Sequence, residues 1–210
     1  MSQILDILTK VGAIITGSHF VLTSGNHSDT YINKDALYPH TKETSQVCRL
    51  FAEECHKLVI DTVAGPALGG IILSQWTAHH LSEMWGKEIC GVYTEKALHG
   101  SHCFARGYDK FVVGKRVLVV EDLTSTGGSA KKVVDAIRAI GGEVAGVCVI
   151  VNRNPDDVNA QYFGAPFLPL AELKVKAYSE ADCLLCKRGV PINSTLGHGK
   201  KYLESRRERA

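Results

Sequence analysis

One segment limits what this chain can be more than any other: Val117-Leu-Val-Val-Glu-Asp-Leu-Thr-Ser-Thr-Gly-Gly-Ser129. Its four leading apolar residues read as a buried strand. Two adjacent carboxylates, Glu121 and Asp122, stand at the C-terminal end of that strand, the edge at which open α/β sheets bind ligands. Thr124, Ser125, Thr126, Gly127, Gly128 and Ser129 then lead into a helix that runs to Ile140 and is closed by Gly141-Gly142. The glycines let backbone N–H groups converge, the hydroxyls add donors, and the helix N-terminus contributes partial positive charge. Those are the parts of a phosphate cradle. The carboxylates repel phosphate but accept hydrogen bonds from vicinal hydroxyls. A diol acceptor a few residues from a phosphate cradle suits a 5-phosphorylated ribose.

The flanking sequence predicts the sheet around this strand. Ile4, Leu5, Leu8 and Val11 fall at helical spacing over residues 2–12, and residues 19–38 have the texture of short strands and turns. Val47 to Leu58 marks a second helix, and Asp61 to Ala64 a short strand that Gly65-Pro66 breaks. Ile71 to Trp85 reads as a helix, Glu88 to Tyr93 as a strand, and Glu143 to Val151 as another buried strand. Between them, Thr94 to Asp109 is a long polar stretch with Gly100 and Gly107, the profile of a lid or binding loop. The alternation predicts an α/β fold, a parallel twisted sheet flanked by helices, in a single domain over 1–210. The last stretch is irregular, and Lys200 to Ala210 alternates charges in the manner of a solvated tail.

Composition narrows the function. Lys plus Arg number 24 against 22 Asp plus Glu, so the large cationic excess of a nucleic-acid binder is missing. The longest apolar run, Val144 to Val151, is far short of a membrane span, and Met1 to Lys10 carries Asp6 without a cationic leader. The 7 cysteines lack a disulfide framework, which predicts reduced thiols and a cytoplasmic protein. No G-x-x-x-x-G-K-[ST] is present, and no G-x-G-x-x-G opens a helix. Cys183-x-x-Cys186 offers half of a zinc site, with His198 or a second subunit to complete it, but the favoured reading is a pair of reduced thiols. His79 and His80 are adjacent on a helix and do not face one site. Cys48, Cys55, Cys90 and Cys148 read as small core residues.

Val117 to Ser129 resembles the phosphoribosyl-pyrophosphate (PRPP) signature of type I phosphoribosyltransferases. Two further segments resemble the orotate phosphoribosyltransferases of that family. Phe20-Val-Leu-Thr-Ser-Gly-Asn-His-Ser-Asp-Thr-Tyr-Ile-Asn33 is similar to their N-terminal hood, and Gly65-Pro-Ala-Leu-Gly-Gly70 to their pyrophosphate loop. Thr94-Glu-Lys96, Arg106-Gly-Tyr108 and Cys183-Leu-Leu-Cys186 look most like the subgroup typified by the Thermus enzyme. The resemblance covers roughly residues 15–200 and implies a hood over 1–40, an α/β core over 41–170 and a C-terminal extension over 171–210.

The resemblance implies transfer of phosphoribose from PRPP to N1 of orotate, giving orotidine 5′-phosphate and pyrophosphate in pyrimidine (UMP) biosynthesis. Mg²⁺ is the implied cofactor, carried on the diphosphate and not on a protein metal site. An oxocarbenium-like transition state leaves the protein to position, to stabilise the leaving group and to exclude water. By motif, Glu121 and Asp122 hold the ribose hydroxyls and Thr124 to Ser129 the 5-phosphate. Ala67, Leu68, Gly69 and Gly70 offer N–H groups to pyrophosphate. Ser24, Gly25, Tyr31 and Ile32 cover orotate with Ser125, and Arg153 grips its carboxylate, a task that the planar guanidinium fork suits.

The chain departs from the family in three places. Gly69 stands where many members carry a lysine, Thr23 replaces the lysine before Ser-Gly, and Glu95-Lys-Ala-Leu-His-Gly100 replaces an R-K-x-x-K-x-H-G lid. Lys96 and then Arg106 become the candidates for charge at the leaving group, with His99 and His102 as candidates to protonate it. In the family the lid serves the neighbouring subunit's site, so a homodimer is implied. Transfer to another base such as a purine, and a PRPP-sensing regulator without turnover, are the alternative readings.

Overall fold

The computed structural model describes residues 3–22 and 24–207. Ser2 of the expected first helix and Thr23 of the hood lie outside the described residues. The helical spacing near the start forms α1 (Gln3–Lys10), which buries Ile4, Ile7 and Leu8. An antiparallel hairpin, β1 (Ile14–Val21) and β2 (His27–Ile32), follows as a separate small sheet. The chain continues through α2 (Thr41–Glu54), β3 (Thr62–Pro66), α3 (Gly69–Trp85), β4 (Cys90–Lys96), β5 (His102–Cys103), β6 (Arg116–Thr124), α4 (Gly128–Ala139) and β7 (Glu143–Asn152). It ends with α5 (Ala160–Phe163), β8 (Phe167–Glu172), α6 (Leu184–Lys187) and α7 (Gly199–Arg207).

The main sheet has the order β5-β4-β3-β6-β7-β8, with β5 alone antiparallel. Its central strand β6 is apolar without alternation because both faces are covered. Leu118 and Val120 pack into a cluster with Ile4, Val47, Phe51 and Leu73, from α1, α2 and α3. Val117 and Val119 face the other way, onto Ala130, Val133 and Ile137 of α4. Thus α3, which connects β3 to β4, and α4, which connects β6 to β7, lie on opposite faces. The strand order reverses between β3 and β6, and that topological switch opens a crevice at the C-terminal ends of these two strands.

The structure changes several sequence expectations. β6 runs past Val120 to Thr124, with Leu123 and Thr124 still paired to Val151 and Asn152 of β7, so the carboxylates lie within the strand. Within the polar stretch 94–109, residues 95–103 form a short hairpin, in which Lys96 pairs with His102 and Glu95 with Cys103. Most plainly, 200–207 is not a solvated tail but helix α7. It lacks an apolar stripe, and its anchors are polar and aromatic: Tyr202 sets its ring edge-on to His27 at 5.2 Å, and Arg206 pairs with Glu180 at 3.1 Å. Residues 208–210 lie outside the described residues. Among the described residues no helix is long and apolar enough to cross a membrane.

Candidate active site

Glu121 and Asp122 are 5% and 2% exposed, and a carboxylate so buried needs partners. Asp122 has them. Its Oδ1 accepts Leu123 N–H at 2.6 Å, and its Oδ2 accepts the Tyr38 hydroxyl at 2.7 Å and pairs with Lys34 Nζ at 3.0 Å. Burial opposes the charge on Lys34, but Asp122's charge and hydrogen bond outweigh it and hold the ammonium above its ordinary pKa. Burial, then the charge of Asp122, raises the Tyr38 phenol. Glu121 Oε1 accepts Asp122 N–H at 3.0 Å, and burial followed by Asp122's charge pushes its carboxyl up to about 8. Sequence reasoning found the carboxylates and missed Lys34 and Tyr38. Both sit just beyond the hood motif that ends at Asn33, and no local pattern links them to position 122.

The turn after β6 is built as the residue types require. Gly127 takes φ +72°, and a Cβ there would fall 2.5 Å from the Tyr162 ring. Ser125, Thr126 and Ser129 are exposed, and α4 starts at Gly128, so its first N–H groups have no intrahelical partner. Thr124 Oγ1 is buried with no hydrogen-bond partner among the described residues. Thr124 at the end of β6, the turn Ser125 to Gly127 and the first two residues of α4 thus follow one another at the switch-point crevice.

Ala67 and Leu68, joined by a cis peptide, connect β3 to α3 across the same crevice, and Gly69 and Gly70 open that helix. This backbone lies directly against the Asp122 cluster. A Cβ at Gly69 would come 2.2 Å from the Tyr38 oxygen and 2.5 Å from Asp122 Oδ2. No side chain fits there while Tyr38 holds Asp122, which gives the missing lysine a physical reason.

A cavity of about 270 Å³ opens beside the carboxylates, and Tyr31, Ile32, Lys34, Asp122 and Arg153 line it. The Tyr31 ring is held by stacking on Phe20 at 5.4 Å. Arg153 follows β7, and its N–H donates to Thr124 O at 2.8 Å, which ties it to the phosphate turn. Asn152 steadies the next turn, donating to Val158 O and accepting Asn154 N–H. Arg153 Nε is buried without a partner among the described residues, and burial lowers the pKa of the guanidinium. Ser24 and Gly25 are not brought to this cavity. They form the exposed β1–β2 turn, and Gly25 lines a separate groove with His198 and Tyr202.

Lys96 and Arg106 lie on and beside the β4–β5 hairpin and do not line the cavity. Lys96 is exposed. Arg106 Nε is 2.6 Å from Glu95 Oε1, and that hydrogen bond raises its pKa. His102 Nδ1 meets Thr94 Oγ1 at 2.9 Å, and burial, then the charges of Lys132 and Lys96, lower its pKa. Lys132 on α4 is a second cation that sequence reasoning missed. Cys183 and Cys186 gather His19 and His27 about them, and not His198.

Comparison with known proteins gives a consistent result. Residues 34–165 match the model of the phosphoribosyl transferase domain. The orotate phosphoribosyltransferase of Caldanaerobacter subterraneus subsp. tengcongensis is 37% identical over 190 residues, 90% of this chain and 94% of that protein. The orotate phosphoribosyltransferase of Mycobacterium tuberculosis H37Rv, solved with inorganic phosphate, is 27% identical with a TM-score of 0.64, covering 81% of this chain and 95% of that one. Its complex with PRPP aligns at 25% identity and a TM-score of 0.62, over 81% and 94%.

Proposed function

Because this chain belongs to the phosphoribosyltransferase family, among its orotate phosphoribosyltransferases, we propose that it transfers phosphoribose from PRPP to orotate in pyrimidine biosynthesis. The observation that carries the base is Arg153. Its buried, unpartnered Nε belongs to a guanidinium lining the cavity that Asp122 also lines, so a carboxylate-bearing ring can sit within reach of the ribose acceptors. Tyr31 and Ile32 wall that cavity, and the Ser125 hydroxyl completes the contacts to orotate.

Glu121 and Asp122 accept the ribose hydroxyls. Thr124 to Ser129 hold the 5-phosphate, and the N–H groups of Ala67 to Gly70 hold the pyrophosphate. Mg²⁺ belongs on the diphosphate. Both Asp122 oxygens already have protein partners, which suits an ion that keeps its waters and is bound chiefly through substrate phosphates, and it neutralises leaving-group charge when bound. Lys96, then Arg106, adds positive charge from the hairpin, with His99 and His102 as proton donors. The hairpin serves the neighbouring site of a homodimer, and Leu98 at its tip, 83% exposed, is an apolar contact to offer. We place the enzyme in the Thermus-type subgroup on its 94–96, 106–108 and 183–186 motifs, as one domain over 1–210 working in the cytoplasm, which its unbridged cysteines suit.

The test is orotate depletion followed by ultraviolet absorbance, with PRPP, in the presence and absence of Mg²⁺. Magnesium-dependent loss of orotate is expected. PRPP binding without that loss would overturn the assignment in favour of another base or a non-catalytic sensor.

A further inference from the structure

A second polar cluster lies away from the reaction site, where the C-terminal segment meets the hood hairpin. His19 comes from β1, His27 from β2, and Cys183 and Cys186 flank the start of α6. His19, His27 and Cys183 are at most 1% exposed. His19 Nε2 is 2.8 Å from His27 Nδ1, 3.6 Å from Cys183 Sγ and 3.7 Å from Cys186 Sγ, and His27 Nδ1 is 3.2 Å from Cys186 Sγ. All four ligand atoms lie within 4.8 Å of one another. Tetrahedral zinc, with bonds of about 2.0–2.1 Å to nitrogen and 2.3 Å to sulfur, needs ligand-to-ligand edges of about 3.3–3.8 Å. The His–His edge is short of that by about half an ångström and the His27–Cys186 edge, at 3.2 Å, by less, while both His19–Cys edges fall within it.

Protons alone do not satisfy this cluster. His19 Nδ1 is 2.8 Å from Val190 O, and a carbonyl only accepts, so Nδ1 carries the hydrogen and Nε2 turns a bare lone pair inward. His27 Nε2 is buried with no hydrogen-bond partner among the described residues. With its hydrogen on Nδ1, His27 satisfies His19 but buries a bare Nε2. With the hydrogen on Nε2, two lone pairs oppose each other at 2.8 Å. A cation between the rings takes both lone pairs and so removes their repulsion, with the His27 hydrogen then carried on Nε2. The Val190 carbonyl is then the outer-sphere acceptor that metal-bound histidines characteristically keep.

We propose that His19, His27, Cys183 and Cys186 bind a structural Zn²⁺ ion that fastens the C-terminal segment to the hood. Binding releases the two thiol protons, and two thiolates neutralise the divalent charge in a buried place. Four protein ligands leave no open position, so the ion does no chemistry. His19 and Cys186 also border a cavity of about 770 Å³, which gives the ion an entry path. The backbone is stitched at the same place. His27 and Tyr178 exchange N–H···O bonds of 2.7 and 2.8 Å, and Asn193 N–H donates to His19 O at 2.8 Å. The clamp thereby steadies the strand that ends in Tyr31 and Ile32.

The test measures zinc by mass spectrometry after dialysis in metal-free buffer. The full-length protein is expected to carry stoichiometric zinc and Cys103→Ser, an exposed thiol outside the cluster, to keep it, with Cys183→Ser/Cys186→Ser at least tenfold lower. Co²⁺ exchange into the unaltered protein provides a second readout that does not depend on the double variant's folding. Tetrahedral d–d bands together with a thiolate-to-cobalt charge-transfer band are expected. Unaltered protein that takes up neither ion, a cobalt spectrum without the thiolate band, or zinc retained in the double variant would each overturn the proposal.

Discussion

Replacing Gly69 with alanine places a methyl carbon 2.2 Å from the Tyr38 oxygen and 2.5 Å from Asp122 Oδ2. Non-bonded heavy atoms rest about 3.5 Å apart, so Tyr38 must retreat by about 1 Å. Its 2.7 Å bond to Asp122 then opens beyond hydrogen-bonding range. A hydrogen bond to a charged group contributes about 1.5–3 kcal/mol. For a chain of this length each kcal/mol lowers Tm by about 2–4 °C, so Gly69→Ala is expected to melt roughly 3–12 °C early. PRPP affinity should fall with it, because Asp122 loses one of the groups that aim it at the ribose.

A double-mutant cycle with Tyr38→Phe isolates the cause. Without the phenolic oxygen the nearest Tyr38 atom is Cζ, 3.0 Å from the new methyl, and the close contact left to relieve is with Asp122 Oδ2 at 2.5 Å, which the phenol no longer holds in place. The two substitutions should therefore be strongly non-additive: Tyr38→Phe alone costs a similar amount, and adding Gly69→Ala costs less than half its single-variant value. Thermal melts of the four proteins and PRPP titration calorimetry make the measurement. Additivity within about 0.5 kcal/mol, or a Gly69→Ala protein as stable as its parent, would refute the reasoning.

Arg153→Lys keeps the charge and loses the planar fork, so the KM for orotate should rise about tenfold or more while the KM for PRPP stays within about twofold; equal shifts in both would remove Arg153 from the base. Lys96→Ala should lower kcat at least tenfold with little change in the orotate KM, and an unchanged kcat would move the role to Arg106 or Lys132. Glu121→Gln tests the buried pair through pH. Glu121 is pushed up to about 8 from 4.5, so the folded state keeps a proton that the unfolded chain releases, and wild-type stability falls as pH rises from about 4.5 to 8. The Tm difference should therefore widen in favour of Glu121→Gln across that window and level off above it; parallel melting profiles would contradict the shift.

The sheet and the phosphate turn were legible because their signals are local. A parallel strand covered on both faces must be apolar at every position, and Val117 to Val120 is. A chain entering a helix through a tight turn needs glycine where φ is positive, and Gly127 is that residue. The partners of the carboxylates were not legible. Tyr38 meets Asp122 across 84 positions, and the contact exists only because the hood folds onto the switch-point crevice. His19 and Cys183 are 164 positions apart, so Cys-x-x-Cys invited His198, a nearer histidine in sequence, as the missing ligand. Helix α7 was hidden for a different reason: Tyr202 and Arg206 anchor it to His27 and Glu180, and specific contacts of that kind leave no periodic trace.

The absent family lysines lead to the same conclusion about where charge can sit. At position 69 the backbone lies so close to Tyr38 and Asp122 that even a methyl group collides. A lysine there would have to displace the group that satisfies Asp122. The structure instead brings in a cation from outside the motif. Lys34 reaches Asp122 from the turn after β2, its side chain 43% exposed while the carboxylate is 3% exposed. That arrangement neutralises the buried carboxylate from the crevice side, and an ammonium has three donors, so the contact to Asp122 leaves two for other acceptors. The loss at Gly69 and the presence of Lys34 and Tyr38 are thus one packing solution. It follows that Gly69→Lys would not restore a missing function here; it would break the Tyr38–Asp122 contact as Gly69→Ala does.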